Sequence, residues 1–400
     1  MTSSTRKLPD LSKAKWLNEP RLQSLLAILS RGGEVRVAGG AVRNALLGVP
    51  IADVDLATTL VPQDVIQLAK GAGFGVHPTG IEHGTVTVVA RGATFEVTTL
   101  RRDVETDGRH ATVAFTKNFA EDAARRDFSI NAMYCDRKGK IYDFTDGYAD
   151  ILKKRIRFVG TPAERIQEDY LRILRFFRFY AAYAKGPPDR AGLTACKKLK
   201  AGLDGLSAER IRQELLKLLV APRAAETLEI MAQAGILRHI LPYTDEWKLV
   251  KRLPPDPVLR LFAIAREPAA LKDRLRLSNE EAGRIDALTV APDLRADVPL
   301  KEARAQLYDL GPQAWRDAVC LAWAKSRAGK ADKNWTRLLK LPDEWKTPAL
   351  PVSGKDLLAK GFTPGPDLGQ ALKQAEGHWI ASDFKATRDE LLQFVESQKI

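Results

Sequence analysis

The chain has 400 residues, 45% hydrophobic and 28% charged, enough to bury the cores of two or three globular domains. Lys and Arg number 63 against 50 Asp and Glu, a formal +13 that points to a polyanionic partner such as nucleic acid. Cys135, Cys196 and Cys320 stand too far apart for a zinc knuckle or a redox pair, the first residues lack the apolar core of a signal peptide, and no run reaches membrane-spanning length. The expected compartment is therefore a reducing one, the cytoplasm.

Residues 1–29 read as an N-terminal helical segment. From Glu34 to Val159, short β-rich runs alternate with Gly and Asp turns: EVRVAGG, DVDLAT, GTVTVVA, TFEVTTL, TVAFT and KIYDF. Beyond Thr161 the β pattern gives way to helical periodicity. The predicted class is α+β, a mixed-sheet head over 30–160 followed by an all-α neck (161–220), body (221–330) and tail (331–400). Thr161, Pro162 and Glu164 predict a capping box opening one long Arg-rich aromatic helix, ERIQEDYLRILRFFRFYAAYA, whose Phe176, Phe177, Phe179 and Tyr180 are core candidates. Further helices are predicted over 207–219, 223–235, 257–266, 279–289, 300–309, 313–326 and 383–397, with 327–352 as a linker.

The chemistry concentrates in the head. VAGGAVRNALLG reads as a strand, a Gly39-Gly40 turn and a helix start carrying Arg43, a geometry in which backbone amides approach an anion. A few residues on, IADVDLAT reads as a strand with Asp53 and Asp55 on one face. Two like charges that close call for a cation between them, and hard oxygen ligands suit Mg²⁺. Glu96, in the apolar strand TFEVTTL, is a third acid and reads as a buried charge. A triphosphate turn beside three strand-borne acids fits metal-assisted nucleotidyl transfer.

These motifs resemble the DNA polymerase beta superfamily of nucleotidyltransferases, and more narrowly the class II CCA-adding enzymes and their bacterial poly(A) polymerase relatives. VAGGAVRNALLGVPIADVDLAT is similar to the family's first motif, RRDFSINAM to its second, and DFTDGYADILKKRIRFVG to its linker motif. EDYLRILRFFRF is similar to its nucleotide-selecting motif, and LSAERIRQELLKLL to its last. PVSGKDLLAKGFTPGPDLG resembles the C-terminal segment. The resemblance implies a nucleotidyltransferase head, CTP and ATP as substrates, tRNA as partner, and addition of C, C and A to the tRNA 3′ end. It implies catalytic Asp53, Asp55 and Glu96, with Asp53 and Asp55 on the metal. It also implies nucleotide contacts from Gly39, Gly40, Arg43, Arg126, Asp169, Arg172, Arg175 and Arg178, and a structural Arg125. RRDVETDGRHAT matches the family's mobile loop, with an ordinary surface hairpin as the alternative. Two positions depart from the family: Asn44 replaces Asp and loses a charge, which puts an ion pair there in doubt but not the metal site, and Ser129 replaces Thr, which keeps the hydroxyl.

Base choice has a chemical rationale of its own. Cytosine and adenine each present an amine donor beside a ring-nitrogen acceptor, and uracil and guanine present the reverse. A carboxylate beside a guanidinium complements the first pair, and Asp169 and Arg172, three apart on one predicted helix, supply both. Each further step of three drifts about 60° around the helix. Arg175 therefore stays nearer that edge, whereas Arg178 faces away and either reaches phosphate or pairs with an acid. Asp127 either caps or pairs locally.

The rivals are a poly(A) polymerase and an A-adding specialist. HPTGIEHGTVTVVARG lacks the Arg-rich signature of the former. A phosphohydrolase half is excluded because none of His77, His83, His110, His239 and His378 precedes an Asp. A non-enzymatic RNA-binding protein accounts for the charge but not for the acids and glycine turn together. Lys197, Lys198, Lys200, Lys248, Lys251, Arg252, Lys325 and Lys330 are candidates for RNA phosphate contact, and the 361–366 turn is either such a contact or a simple turn.

Overall fold

The computed structural model describes residues 7–107, 110–326 and 328–398, and over 103–113 the backbone alone. It divides into two compact units, Met1–Pro242 and Tyr243–Ile400.

The first unit is built on a mixed sheet. Its strands are β1 (Val35–Ala38), β2 (Asp55–Thr58), β3 (Gly75–His77), β4 (Thr85–Ala90) and β5 (Ala93–Thr99), then β8 (Met133–Cys135) and β9 (Ile141–Asp143) after a separate two-stranded ribbon. Their order is β3-β4-β5-β2-β1-β8-β9. Only β2 and β5 run parallel, with Leu56 beside Val97, and the other pairs are antiparallel. Alternation sets the faces: in β4, Val86, Val88 and Ala90 are buried, and in β5, Phe95, Val97 and Thr99. The ribbon pairs β6 (Arg101–Asp107) with β7 (His110–Phe115), slipping register between Asp103 and Glu105. It accounts for RRDVETDGRHAT as a hairpin, whose tip at 108–109 lies outside the described residues. Early helices are α1 (Pro20–Leu29), α2 (Gly40–Leu47), α3 (Pro62–Gly71), α4 (Phe119–Ala124) and α5 (Gly147–Leu152).

After β9 no strand occurs among the described residues, only isolated antiparallel bridges, Phe158 to Phe128 and Tyr243 to Ala265. The long helix predicted from Glu164 is two helices, α6 (Pro162–Glu168) and α7 (Leu171–Tyr183), because Asp169 is extended at φ −157°, ψ 106°. The predicted capping box is also absent, since the Thr161 side chain accepts no cap bond. Then follow α8 (Arg190–Leu199), α9 (Ala208–Leu219) and α10 (Ala224–Gln233). Phe176, Phe177, Phe179 and Tyr180 are all core. Phe128 meets Phe158 at 4.9 Å and Phe179 at 5.3 Å between centroids, which fastens the RRDFSINAM segment to α7.

In the second unit the predicted helices at 300–309 and 313–326 form one run, Leu300–Lys325, broken at Gly311 (φ 75°) ahead of Pro312. The predicted linker 327–352 instead contains a helix, Lys333–Glu344. Asp332 caps it, and Trp335, Leu338 and Leu341 pack on Trp315, whose indole N–H donates to the Leu338 carbonyl at 2.8 Å. A second cluster joins Val352, Leu357, Ala371, Ala375 and Trp379 to Leu391, Leu392 and Val395. No described helix is long and apolar enough to cross a membrane.

Candidate active site

The glycine turn stands at the end of β1. Gly39 adopts φ 61°, and a Cβ there would lie 3.0 Å from an Arg126 nitrogen and 3.3 Å from the Asn131 carbonyl, so only glycine fits. The first intrahelical bond of α2 runs from the Arg43 N–H to the Gly39 carbonyl at 3.0 Å. The amides of Gly40, Ala41 and Val42 precede it and are the first-turn N–H groups that have no acceptor within the helix.

The Arg43 side chain folds back beside that turn, its Nη2 3.8 Å from where a Cβ on Gly40 would lie. It is buried, donating to Asn131 Oδ1 at 2.5 Å, to Asn44 Oδ1 at 3.0 and 2.8 Å and to the Tyr183 hydroxyl at 3.2 Å. Burial, with Arg178 nearby, holds its pKa below the usual arginine value even though Tyr183 and Asp127 oppose the shift. At Asn44 a charge-assisted contact stands in place of an ion pair, with Nε and Nη2 of Arg43 sharing the single acceptor Oδ1, and the Asn44 amide also donates to the Pro50 carbonyl at 2.9 Å.

Asp55 opens β2 opposite Ala38 of β1, and Glu96 occupies the equivalent place on the parallel neighbour β5. Leu56 and Val97 are buried, so Asp55 and Glu96, one residue before each, share the opposite, open face. Glu96 is therefore exposed, not a buried charge: the two-residue period carries it outward between Phe95 and Val97. Asp53 precedes the strand rather than lying in it, and is likewise exposed. Protein crowding, then Glu96 and then Asp53 push the Asp55 carboxyl above its ordinary pKa, partly offset by Arg126. Among the described residues none of the three acids enters an ion pair. No three His, Cys, Asp or Glu side chains there converge tightly enough to hold a metal alone. Two carboxylates completed by substrate phosphate and water remain a fitting donor set for Mg²⁺, which rarely takes an all-protein cage.

A second layer is built on buried Asp122 of α4. It accepts from Arg125 at 2.9 and 2.7 Å, from Arg126 at 3.3 and 3.1 Å and from the Tyr134 hydroxyl at 2.6 Å. Burial opposes ionisation, yet Arg126, Arg125 and Tyr134 hold its pKa down to about 2. Asp127, left open between cap and local partner, accepts from Arg175 of α7 at 2.8 and 2.5 Å. Ser129 gives its hydroxyl to buried Asp150 at 2.5 Å, as its retained oxygen allows.

Asp169 and Arg172 are placed by the break between α6 and α7, not by one helix face. Asp169 Oδ1 accepts from the Leu171 amide at 3.0 Å and Oδ2 from Arg210 at 2.8 Å. Arg172 donates to Glu168 at 2.6 Å and to the carbonyls of Arg165 at 3.0 Å and Arg125 at 3.4 Å. Arg178 turns away and forms an ion pair with Glu214 of α9 at 2.5 Å.

One cavity of about 440 Å³ unites these groups, lined by Asp55, Glu96, Arg126, Asp169, Arg172 and Arg175. Gly39, Gly40, Arg43, Asp53 and Arg178 do not line it. Thr98, Arg101, Arg125 and Arg210 do, and the sequence reading missed them as wall residues. Arg210 had a signal, its place in LSAERIRQELLKLL, whereas Thr98 had only strand alternation. Of the candidate RNA-binding cations, Lys200 donates to the Ala234 carbonyl and Arg252 to those of Trp323 and Ala328.

Acids on adjoining parallel strands, a glycine turn into a helix and an arginine wall around one cavity define a nucleotidyltransferase. Residues 35–157 match the model of the poly A polymerase head domain, 189–248 that of the "Probable RNA and SrmB- binding site of polymerase A", and 261–395 one for domain 2 of tRNA nucleotidyltransferases. The chain is 37% identical to the mitochondrial CCA tRNA nucleotidyltransferase 1 of Mus musculus, covering 94% of this chain and 89% of that protein. It is 33% identical to the CCA-adding enzyme of Limosilactobacillus fermentum, over 92% and 94% of the two chains. The Bacillus stearothermophilus CCA-adding enzyme in complex with CTP superposes with a TM-score of 0.77 at 28% identity, over 95% of this chain and 98% of that one. The chain belongs to the class II CCA-adding enzymes of the tRNA nucleotidyltransferase and bacterial poly(A) polymerase family.

Proposed function

We propose that this chain adds C, C and A, from CTP and ATP, to the 3′ end of tRNA without a nucleic-acid template. The observation that carries the reading is the single cavity in which Asp55 and Glu96 meet Asp169 and Arg172. The tRNA 3′ hydroxyl gives its proton to solvent as its oxygen attacks the α-phosphorus, a new P–O bond forms, and the bond to the departing diphosphate breaks. Asp53 and Asp55 are the residues that would hold Mg²⁺, and Glu96 supports that carboxylate edge. When bound, the ion supplies charge neutralisation at the attacking and leaving oxygens. The chain's own part is to orient. The α2 amides beside Gly39 and Gly40, next to Arg126, receive phosphate, and Arg126 and Arg175 face it from the cavity wall. Asp169 accepts from the exocyclic amine of C or A while Arg172 donates to the neighbouring ring nitrogen. Arg43 and Arg178 act behind them, Arg43 on Asn131 and Arg178 on Glu214.

The helical neck, body and tail are assigned to selection and tRNA binding, in keeping with the +13 charge. Three free cysteines, two of them buried, support a reducing compartment, and the cytoplasm is the compartment proposed. The test is to sequence the products on tRNA ending in its discriminator base and on tRNA ending in CC, given CTP and ATP separately and together with Mg²⁺. CCA on the first tRNA only when both are present supports the reading. An A tract of variable length marks a poly(A) polymerase, and a single A only on tRNA ending in CC marks an A-adding specialist.

A further inference from the structure

We infer that Arg210 of α9 is a specificity-determining positioning residue, the tether that fixes the Asp169 carboxylate in its base-reading orientation. The inference rests on Asp169 reading the base, as proposed above.

Asp169 lies in the two-residue gap between α6 and α7 with an extended backbone, so no helical turn stacks against its side chain. Two contacts fix the carboxylate: Oδ1 takes the Leu171 amide at 3.0 Å and Oδ2 takes Arg210 at 2.8 Å. An ionised carboxylate offers about four acceptor sites, so the two bonds set its plane and leave sites for an incoming amine. Arg172 is tethered separately, by Glu168 and by the Arg165 and Arg125 carbonyls. Among the described residues the Asp169 and Arg172 side chains do not bond to each other, so both stay available to a base. Without Arg210, Oδ2 would turn toward the nearest positive charge. Arg172 lines the same cavity, and Arg175 already feels the Asp169 charge. Self-pairing there would close the reading edge.

The tether is stiff because α9 is itself anchored. Glu214, one turn beyond Arg210, pairs with Arg178 at 2.5 Å and Arg175 at 3.7 Å, both on α7. Leu215, Leu218 and Leu219 bury the apolar face of the same helix. Arg210 itself keeps 41% of its side chain exposed, so replacing it leaves no buried orphan and spares the fold.

The experiment is single-turnover incorporation of CTP, ATP, UTP and GTP into tRNA ending in its discriminator base and in CC. It compares wild type, Arg210→Met, Arg210→Lys, Asp169→Ala and the double variant Asp169→Ala/Arg210→Met. Loss of a charge-assisted bond in Arg210→Met should lower C and A incorporation about tenfold and shrink discrimination against U and G by a similar factor. Arg210→Lys should restore part of the discrimination, and the double variant should match Asp169→Ala alone, since Arg210 acts only through Asp169. If Asp169→Ala loses selectivity while Arg210→Met keeps it, or if the two effects add, the tether is overturned and the base-reading assignment stands. If Asp169→Ala itself stays selective, that assignment falls and takes the tether with it.

Discussion

Asp53, Asp55 and Glu96 gather three negative charges beside and along β2 and β5 with no ion pair among the described residues, and all three are exposed. The arginine wall of the same cavity is built the other way. Arg125 and Arg126 are held by Asp122, Arg172 by Glu168, Arg175 by Asp127 and Arg210 by Asp169. The wall is preorganised, its dipoles set before any ligand arrives, which is how a protein surface can replace a template without reorganising at each addition. On the acid edge, burial first and then repulsion from Glu96 and Asp53 oppose the Asp55 charge, and on the proposed function a divalent cation with a triphosphate would relieve it. On the proposed function, fixed geometry serves recognition and unpaired charge serves chemistry.

The contrast predicts opposite consequences for mutation on the two sides. The largest effect is on the acid edge: Asp55→Ala should lower incorporation of both C and A by about three orders of magnitude while the circular dichroism spectrum stays unchanged. Near-normal turnover in a folded Asp55→Ala protein would remove the acid edge from the chemistry. On the wall the same truncation should cost stability. Asp122→Ala leaves Arg125, Arg126 and the Tyr134 hydroxyl without their buried acceptor and should destabilise the first unit by about 3–5 kcal/mol in denaturant unfolding. The sign with pH follows from its lowered pKa. The Asp122 contribution is complete above the unfolded carboxylate value and is lost as pH falls toward about 2. Asp122→Ala should therefore show a flatter stability profile than wild type below about pH 4. A variant as stable as wild type at pH 7 would show that the network holds nothing together.

The smallest effect sharpens the contrast most. Asp55 has a raised pKa, so its contribution to stability is present below the unfolded value and lost as pH rises through the folded one. At neutral pH its charge opposes folding, and Asp55→Asn should raise the melting temperature by about one to three degrees while abolishing activity. A lower melting temperature would mean that the edge carries no stored repulsion.

How much of this could be read from the residues differs along the same line. The β1-turn-α2 unit and the order of the acids follow from strand alternation and two glycines, which are local signals. The same alternation made Glu96 an outward residue, but the apolar look of its run concealed that. The break at Asp169 had no local signal, because EDYLR contains neither Gly nor Pro. It is imposed from a distance: the Tyr170 ring lies where a side chain on Gly202 would have to be, 1.9 Å from that Cβ, and Arg210 draws the Asp169 carboxylate toward α9. α8 escaped for a related reason, since Gly192 inside it reads as a breaker but makes room for the Phe176 ring 2.9 Å from its own missing Cβ. The helix at Lys333–Glu344 was hidden by Pro342, which falls in its last turn.

The central claim is that Asp169 and Arg172 read the base in place of a template, and single-turnover incorporation of all four nucleotides by Asp169→Ala tests it most directly. Removing the acceptor for the exocyclic amine should slow C and A addition and bring UTP and GTP within about tenfold of CTP and ATP. An Asp169→Ala enzyme that still adds C and then A, with wild-type discrimination against U and G, would contradict it.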